Sequence, residues 1–415
     1  MPVSLTEVGE YRLDNNLRIL IWPQAQCPVV VVMTWYGVGS AYDPPGKAGL
    51  AHLLEHLMFK GTSRFAPGEI DRLTSEHGGL SNAYTGQEFT TYFFAFAADR
   101  WSTALEIEAD RMKGCTFHPE ELERERQVIL EEIHMERDDP WERLRENLEA
   151  AVRGASSYAH PIAGRPQTLR TISRPDLLEF YRRHYQPGNA TVVIAGGMEP
   201  HRAVEEVARR FAAVTDDSDR RPAAPPVPGF QSPPEPLEDT WAGEVERVLF
   251  AFPAPSLAAE DYPAFLVLDR LLAQGRLCRL HRSLVEEQDL VAGFQASFED
   301  TRAPGIYYLQ FDLRDGVPPE DLVGRIRDTL EATADGDLDE ALERARNQTL
   351  TGLLAELENP SDRAFLLGLW ATLHRWEALE TMLHRVHEVD ASSVRRAARK
   401  YLLDQPPAVG ILRAR

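Results

Sequence analysis

Cysteine is scarce in this sequence of 415 residues, which contains only Cys27, Cys115 and Cys278. The three lie far apart, so we expect neither a disulfide framework nor a cysteine-type zinc site. Long apolar runs are also missing, and the N-terminal residues lack the basic start and apolar segment of a secretion signal. We therefore expect a cytoplasmic protein with no membrane partner.

Positive charge is in deficit as well. The sequence has 45 lysine and arginine residues against 65 aspartate and glutamate residues, a formal net charge of −20. Such a surface repels a phosphate backbone, so no nucleic-acid partner is expected. The hydrophobic content of 43% excludes disorder as a description of the whole chain, and the length predicts more than one domain.

Predicted strands and helices follow the same order in both halves of the chain. Prolines crowd the segment between them, which favours an extended linker. We predict an N-terminal domain at 1–214, a proline-rich linker at 215–240 and a C-terminal domain at 241–415. The predicted fold class is α+β, with two similar domains related by duplication, each a mostly antiparallel β-sheet packed with helices. At the N-terminus, strands at 17–22 and 29–35 are predicted to form a hairpin.

The most informative stretch is 49–61, where apolar residues recur every third or fourth position and predict an amphipathic helix. His52 and His56 lie one turn apart on its other face, a spacing that lets both imidazoles bind one metal ion. This pattern suits zinc-dependent peptide hydrolysis, with Glu55 as the candidate base. The order His-x-x-Glu-His is the inverzincin motif. The alternative is a chance grouping on a solvated helix face.

A second informative stretch is the long helix predicted to begin at Pro119. Glu125 and Glu132 share one otherwise apolar face of it, where an unpaired charge is expensive and a bound cation would compensate. The helix is also rich in other acidic residues, so a purely solvated acidic helix explains the pattern equally well. On pattern alone, both interpretations remain open.

Together these segments resemble the pitrilysin or insulinase family of zinc peptidases, in its half-length branch with the mitochondrial processing peptidase and its bacterial relatives. The likeness is carried by four segments in the same order: HLLEH at 52–56, GLSNAYT at 79–85, ERQVILEE at 125–132 and YAHP at 158–161.

The resemblance implies a zinc endopeptidase in which His52, His56 and Glu132 bind Zn²⁺. It implies that Glu125 supports the site and Glu55 is the catalytic base. Helical phase agrees, because position 132 shares a face with 125 whereas Glu131 points about 100° away. Glu131 is the fallback ligand.

A substrate-binding strand is also implied by the resemblance. Asn82, Ala83, Tyr84 and Thr85 would form an exposed sheet edge to which an extended peptide substrate adds as a strand. Without the resemblance, the same residues read as an ordinary strand that follows two glycines.

One departure from the family pattern concerns the C-terminal half. Members that are complete enzymes carry there an arginine followed seven positions later by a tyrosine, and this sequence has Val285 and Ala292 instead. We therefore predict a heterodimer in which a related non-catalytic subunit supplies the arginine and tyrosine, with a homodimer as the fallback. The alternative source is this chain's own Arg276, Arg279, Tyr307 and Tyr308. A different function is also considered: a non-catalytic assembly or core subunit of the same fold.

Overall fold

The computed structural model describes residues 5, 7–216, 223–226 and 229–415. Within these ranges the strands are β1 (Gly9–Arg12), β2 (Arg18–Pro23), β3 (Val29–Tyr36), β4 (Leu80–Thr85), β5 (Thr90–Ala97), β6 (Ala190–Gly196), β7 (Leu237–Trp241), β8 (Arg247–Ala254), β9 (Val291–Phe298), β10 (Gly305–Leu313) and β11 (Ala408–Ala414).

The α-helices are α1 (Leu50–Leu57), α2 (Glu69–Glu76), α3 (Ser102–Gly114), α4 (Pro119–Asp138), α5 (Pro140–Arg153), α6 (Pro166–Leu169), α7 (Arg174–His184), α8 (Pro200–Phe211), α9 (Tyr262–Ala273), α10 (Pro319–Asp335), α11 (Asp339–Glu356), α12 (Pro360–Leu373), α13 (Ala378–Glu388) and α14 (Ala391–Ala398). Two π-helical segments, His281–Glu287 and Arg399–Leu403, and three short 3₁₀ turns complete the described elements. Within the described ranges, no helix combines the length and the apolar character needed to span a bilayer.

The first sheet has six strands in the order β1-β2-β6-β3-β5-β4. Strand β6 lies between β2 and β3, parallel to β2 and antiparallel to β3. The predicted β2–β3 hairpin is therefore wrong, although both strands exist. The short connection from β2 to β3 therefore passes over the end of β6, because two strands with a third between them lie about 9–10 Å apart. Strand β6 pairs with both β2 and β3 and is buried along its whole length, as expected for a central strand.

The second sheet has five strands in the order β7-β11-β8-β10-β9. Strands β7 and β11 run parallel, and the other pairs are antiparallel. The same directions recur in the run β2-β6-β3-β5-β4 of the first sheet. The predicted α+β fold class is thus confirmed. The two sheets share the same strand order and directions over five strands, as duplication produces.

The chain packs into two compact units, each with a segment from the other half of the sequence. Unit 1 comprises 1–134, 160–225 and 355–380, and unit 2 comprises 135–159, 226–354 and 381–415. Helix α12 therefore packs on β3 and β6 of unit 1, whereas α5 packs on β11 of unit 2. The predicted domain limits at 214 and 241 stay a prediction.

The predicted linker at 215–240 lies partly outside the described residues. Its last four residues belong to β7, which pairs with β11.

One apolar core in unit 1 fixes the position of the two helices singled out by the sequence. Leu50, Leu53, Leu54 and Leu57 of α1 are buried in it. The apolar positions of α4 are buried in the same core: Leu122, Ile129 and Ile133. Because these stripes face one core, the polar positions beside them are brought near each other.

Candidate metal centre

Helix α1 begins at a backbone position that glycine suits. Gly49 has φ of +94°, and a Cβ there would lie 2.6 Å from the carbonyl oxygen of Ala163. Because glycine offers no capping side chain, Asp43 does the capping. Its carboxylate accepts hydrogen bonds of 2.7, 3.2 and 2.9 Å from the backbone N–H groups of Gly49, Leu50 and Ala51. Sequence reasoning missed Asp43, since its cap is not adjacent to the helix.

The two histidines of α1 meet a glutamate of α4. The centroids of the His52 and His56 rings are 4.8 Å apart. Glu132 Oε1 lies 4.0 Å from His52 Nε2, and its Oε2 lies 3.9 Å from His56 Nε2. Within the described residues these three side chains form the one group able to hold a metal ion, with ligand atoms within 4.8 Å of one another. The structure thus brings together the three predicted ligands.

The donor set fits zinc. Two imidazoles and one carboxylate are the ligands of a catalytic zinc site with an open fourth position, and tetrahedral donors lie about 3.3 Å apart. The ligand atoms of the three side chains, all within 4.8 Å of one another, are therefore only slightly farther apart than the donors of a zinc site. Glu131, the fallback ligand, is exposed and is not among the three clustered side chains.

Electrostatics keep His52 ready to act as a ligand. Burial, helped by the neighbouring His56, lowers the pKa of His52 to about 4. The ring is therefore neutral near pH 7, and a neutral imidazole has the lone pair that a metal needs.

Glu125 lies beside His56, on the face of α4 that the helical phase predicted it to share with Glu132. Its Oε2 is 3.2 Å from His56 Nδ1, and its Oε1 is 3.1 Å from Lys60 Nζ. The Glu125 side chain is only 8% exposed. Sequence reasoning missed Lys60, although its position four residues after His56 was an available signal.

Glu55 lies between the two histidines in sequence and is buried. The Thr85 hydroxyl donates a hydrogen bond to Glu55 Oε2. Burial raises the pKa of the Glu55 carboxyl above its usual value, against the lowering effects of Thr85 and His56. A raised pKa suits a group that must take up a proton and release it near neutral pH.

Strand β4, which holds the predicted substrate-binding residues, is the outermost strand of the first sheet and pairs with β5. Asn82 and Tyr84 are exposed, Ala83 is half-buried, and Thr85 is buried against Glu55. Thr85 was predicted only as a substrate-binding residue, and the structure adds a hydrogen bond from its hydroxyl to the candidate base Glu55.

The four residues considered as alternative donors belong to unit 2, and two of them have hydrogen-bond partners within that unit. Arg279 donates to the carbonyl oxygens of Ala332 and Asp337, at 3.4 and 2.6 Å. The Tyr307 hydroxyl donates to Asp269 at 2.8 Å. Tyr308 is buried and Arg276 is exposed.

A duplicated α+β fold with a His-x-x-Glu-His helix and a remote glutamate defines a class of metallopeptidases. The profile of Insulinase (Peptidase family M16) matches residues 19–165, and that of the Peptidase M16 inactive domain matches residues 171–349. The chain belongs to the M16 peptidase family.

Relatives match almost the whole chain. The probable mitochondrial-processing peptidase subunit beta of Arabidopsis thaliana is 26% identical over 426 residues, covering 99% of this chain and 79% of the relative. The uncharacterized zinc protease YmxG of Bacillus subtilis is 25% identical over 402 residues, covering 95% of each chain. The crystal structure of a protease from Helicobacter pylori has a TM-score of 0.89 at 24% identity, covering 99% of this chain and 100% of that one, which shows the shared fold.

Proposed function

We propose that this chain is a zinc metalloendopeptidase that hydrolyses extended peptides and is the catalytic subunit of a heterodimer. The observation that carries the proposal is the convergence of His52, His56 and Glu132, with Glu55 between the two histidines in sequence. The names of relatives that are zinc proteases support it.

His52, His56 and Glu132 would hold the zinc ion. A zinc ion bound there would act as a Lewis acid on a peptide carbonyl and would increase the acidity of water. Glu55 takes a proton from the attacking water and later gives it to the leaving amine, so the buried carboxyl acts first as base and then as acid. Glu125 orients the His56 ring through its Nδ1 contact.

The position of β4 as the outermost strand of the described sheet supports binding of the substrate as an added strand. Backbone pairing with Asn82, Ala83, Tyr84 and Thr85 would align the peptide, and recognition would depend little on its sequence. Since the hydroxyl of Thr85 contacts Glu55, a peptide paired along this strand would be guided towards the base.

A second, related subunit would supply further donors for the charge that develops on the substrate carbonyl. Val285 and Ala292 cannot donate from their side chains, and Arg279 and Tyr307 are engaged within unit 2. These observations favour donors from another chain, and a homodimer is the alternative arrangement.

The test compares the Glu55→Gln and Asp269→Asn variants in the complex co-purified from the native source. Asp269 is the carboxylate on α9, the helix of unit 2 that corresponds to α1, so it is the matched control. We expect Glu55→Gln to lower cleavage of a fluorogenic peptide by about 10²–10⁴-fold while bound zinc is retained. Asp269→Asn is expected to cleave as the unmodified protein does.

Two outcomes would contradict the proposal. Retained turnover by Glu55→Gln with zinc still bound would defeat the mechanism. Absence of stoichiometric zinc from protein prepared in metal-replete medium would favour the alternative function, a non-catalytic assembly or core subunit.

A further inference from the structure

Glu125 is a buried carboxylate whose two oxygens have different partners. Oε2 faces His56 Nδ1 at 3.2 Å, and Oε1 faces Lys60 Nζ at 3.1 Å. A carboxylate that is 8% exposed is expensive to keep in a core unless both oxygens are compensated. The two contacts therefore determine where this carboxylate can sit.

The contact with His56 determines what that ring offers on its other side. His56 Nε2 faces Glu132 Oε2 at 3.9 Å, so Nε2 is the atom directed to the metal centre. For Nε2 to present a lone pair, the ring proton must be on Nδ1, where Glu125 Oε2 accepts it. A neutral imidazole leaves the negative charge of Glu125 uncompensated, and the ammonium of Lys60 supplies the opposite charge.

Lys60 is placed by the end of α1 itself. It follows His56 by four residues, just past the last helical residue, and its backbone N–H donates to the Leu57 carbonyl oxygen at 3.0 Å. The ligand and the cation that holds the supporting carboxylate are thus fixed by one short segment.

We propose that Lys60 is a positioning residue of the metal centre. By holding Oε1 of Glu125, it fixes the carboxylate that accepts the Nδ1 proton of His56, and so it directs Nε2 to the metal. This inference rests on the proposed zinc site and adds to it a residue that touches neither metal nor substrate.

The first experiment measures zinc affinity by competition with a chromophoric chelator, using zinc chloride and chelator-treated protein. Lys60→Met is expected to weaken zinc binding about tenfold, at the lower end of the range for loss of a ligand's supporting group. Lys60→Arg, which keeps the charge, is expected to restore most of the affinity. Lys47→Met is the matched control, since Lys47 is also a partly exposed lysine of unit 1, 2.8 Å from Asp176.

The second experiment tests whether Lys60 acts through Glu125. In the Glu125→Gln background no negative charge remains for the ammonium to hold, so adding Lys60→Met is expected to change zinc affinity very little. The unfolding midpoint of the zinc-free protein is measured for each variant, because a merely structural role would lower this midpoint and leave the coupling in affinity absent.

The outcomes separate this inference from the proposed function. Failure of the unmodified protein to bind zinc refutes the metal centre itself. If it binds zinc, unchanged affinity in Lys60→Met overturns the role of Lys60. An effect of equal size with and without Glu125 likewise overturns it, as does an equal loss in Lys47→Met.

Discussion

Helices α1 and α9 occupy the same place in the two duplicated sheets but differ in their polar residues. Helix α1 follows β3 and precedes β4, and α9 follows β8 and precedes β9. Helix α1 carries two half-buried imidazoles and Glu55. The sequence of α9 contains no histidine, and its one carboxylate, Asp269, accepts hydrogen bonds from Tyr307 at 2.8 Å and Gln274 at 3.3 Å.

The comparison separates what the scaffold needs from what the chemistry needs. Both helices bury leucines against their own sheet, so the fold requires only the apolar stripe. Each helix also has a carboxylate that accepts a hydrogen bond from a hydroxyl group, which belongs to Thr85 in unit 1 and to Tyr307 in unit 2. What distinguishes α1 is the pair of imidazoles beside that carboxylate, together with a glutamate supplied by α4.

The largest effect is expected from removing the ligand that α1 does not supply. Glu132→Gln is expected to weaken zinc binding by more than about 100-fold, beyond the range for supporting residues, because it removes a charged ligand. Glu131→Gln is the matched control and is expected to bind zinc as the unmodified protein does. Chelator competition measures both, and a larger loss in Glu131→Gln would reverse the assignment.

Removal of the hydroxyl beside each carboxylate is expected to affect different properties in the two units. Thr85→Val is expected to lower kcat by about 10–100-fold, the value of a hydrogen bond to a charged group, with zinc content unchanged. Thr85→Ser restores the hydroxyl and should restore kcat.

The counterpart is Tyr307→Phe. We expect normal turnover but a free energy of unfolding lower by about 1–3 kcal/mol, because the half-buried Asp269 loses the shorter of its two hydrogen bonds. Peptide cleavage and chemical denaturation of both variants measure these effects. A fall in kcat for Tyr307→Phe would indicate that the chain's own tyrosine assists catalysis, contrary to the second-subunit proposal.

The smallest expected effect concerns acid stability, which the buried histidines of unit 1 influence. Burial, together with Arg183, lowers the pKa of His184 to about 4, against about 6.5 in an unfolded chain. Between these values the unfolded state binds the extra proton, so stability is complete above pH 6.5 and is lost as pH falls towards 4. From pH 7 to pH 5 this one group removes about 2 kcal/mol.

His184→Phe is the variant that tests this effect, since the ring lies against Tyr42 and Phe180. The loss of stability between neutral and mildly acidic pH is expected to be smaller in this variant by the amount given above. Urea unfolding across the pH range measures it, with exposed His201→Gln as the control. An unchanged pH slope in His184→Phe would contradict the assignment.

Local sequence patterns predicted several elements with accuracy. The helix predicted to begin at Pro119 begins there, and the strands predicted at 17–22 and 29–35 are observed at Arg18–Pro23 and Val29–Tyr36, because proline favours the first helical position and flanking turn formers limit strands. The helical period also placed Glu125 and Glu132 on one face of α4, and both face the α1 histidines.

Long-range pairing was beyond those patterns. The strand between β2 and β3 comes from residues 190–196. The hairpin prediction failed because both strands pair with this distant segment and not with each other. Those patterns also do not show that α5 packs on β11 or that α12 packs on β3 and β6. The contacts of Lys60, Thr85 and Asp43 join positions that no sequence period relates.

The sequence by itself determined the spacing of two imidazoles and a carboxylate on one helix, since residues four apart in an α-helix always share a face. It also determined which acids of α4 point the same way. Only the tertiary structure decided that α4 meets α1, that Thr85 reaches Glu55 and that Lys60 holds Glu125. Those contacts depend on how apolar surfaces far apart in the chain pack into a common core, and side-chain packing is not encoded in any local period.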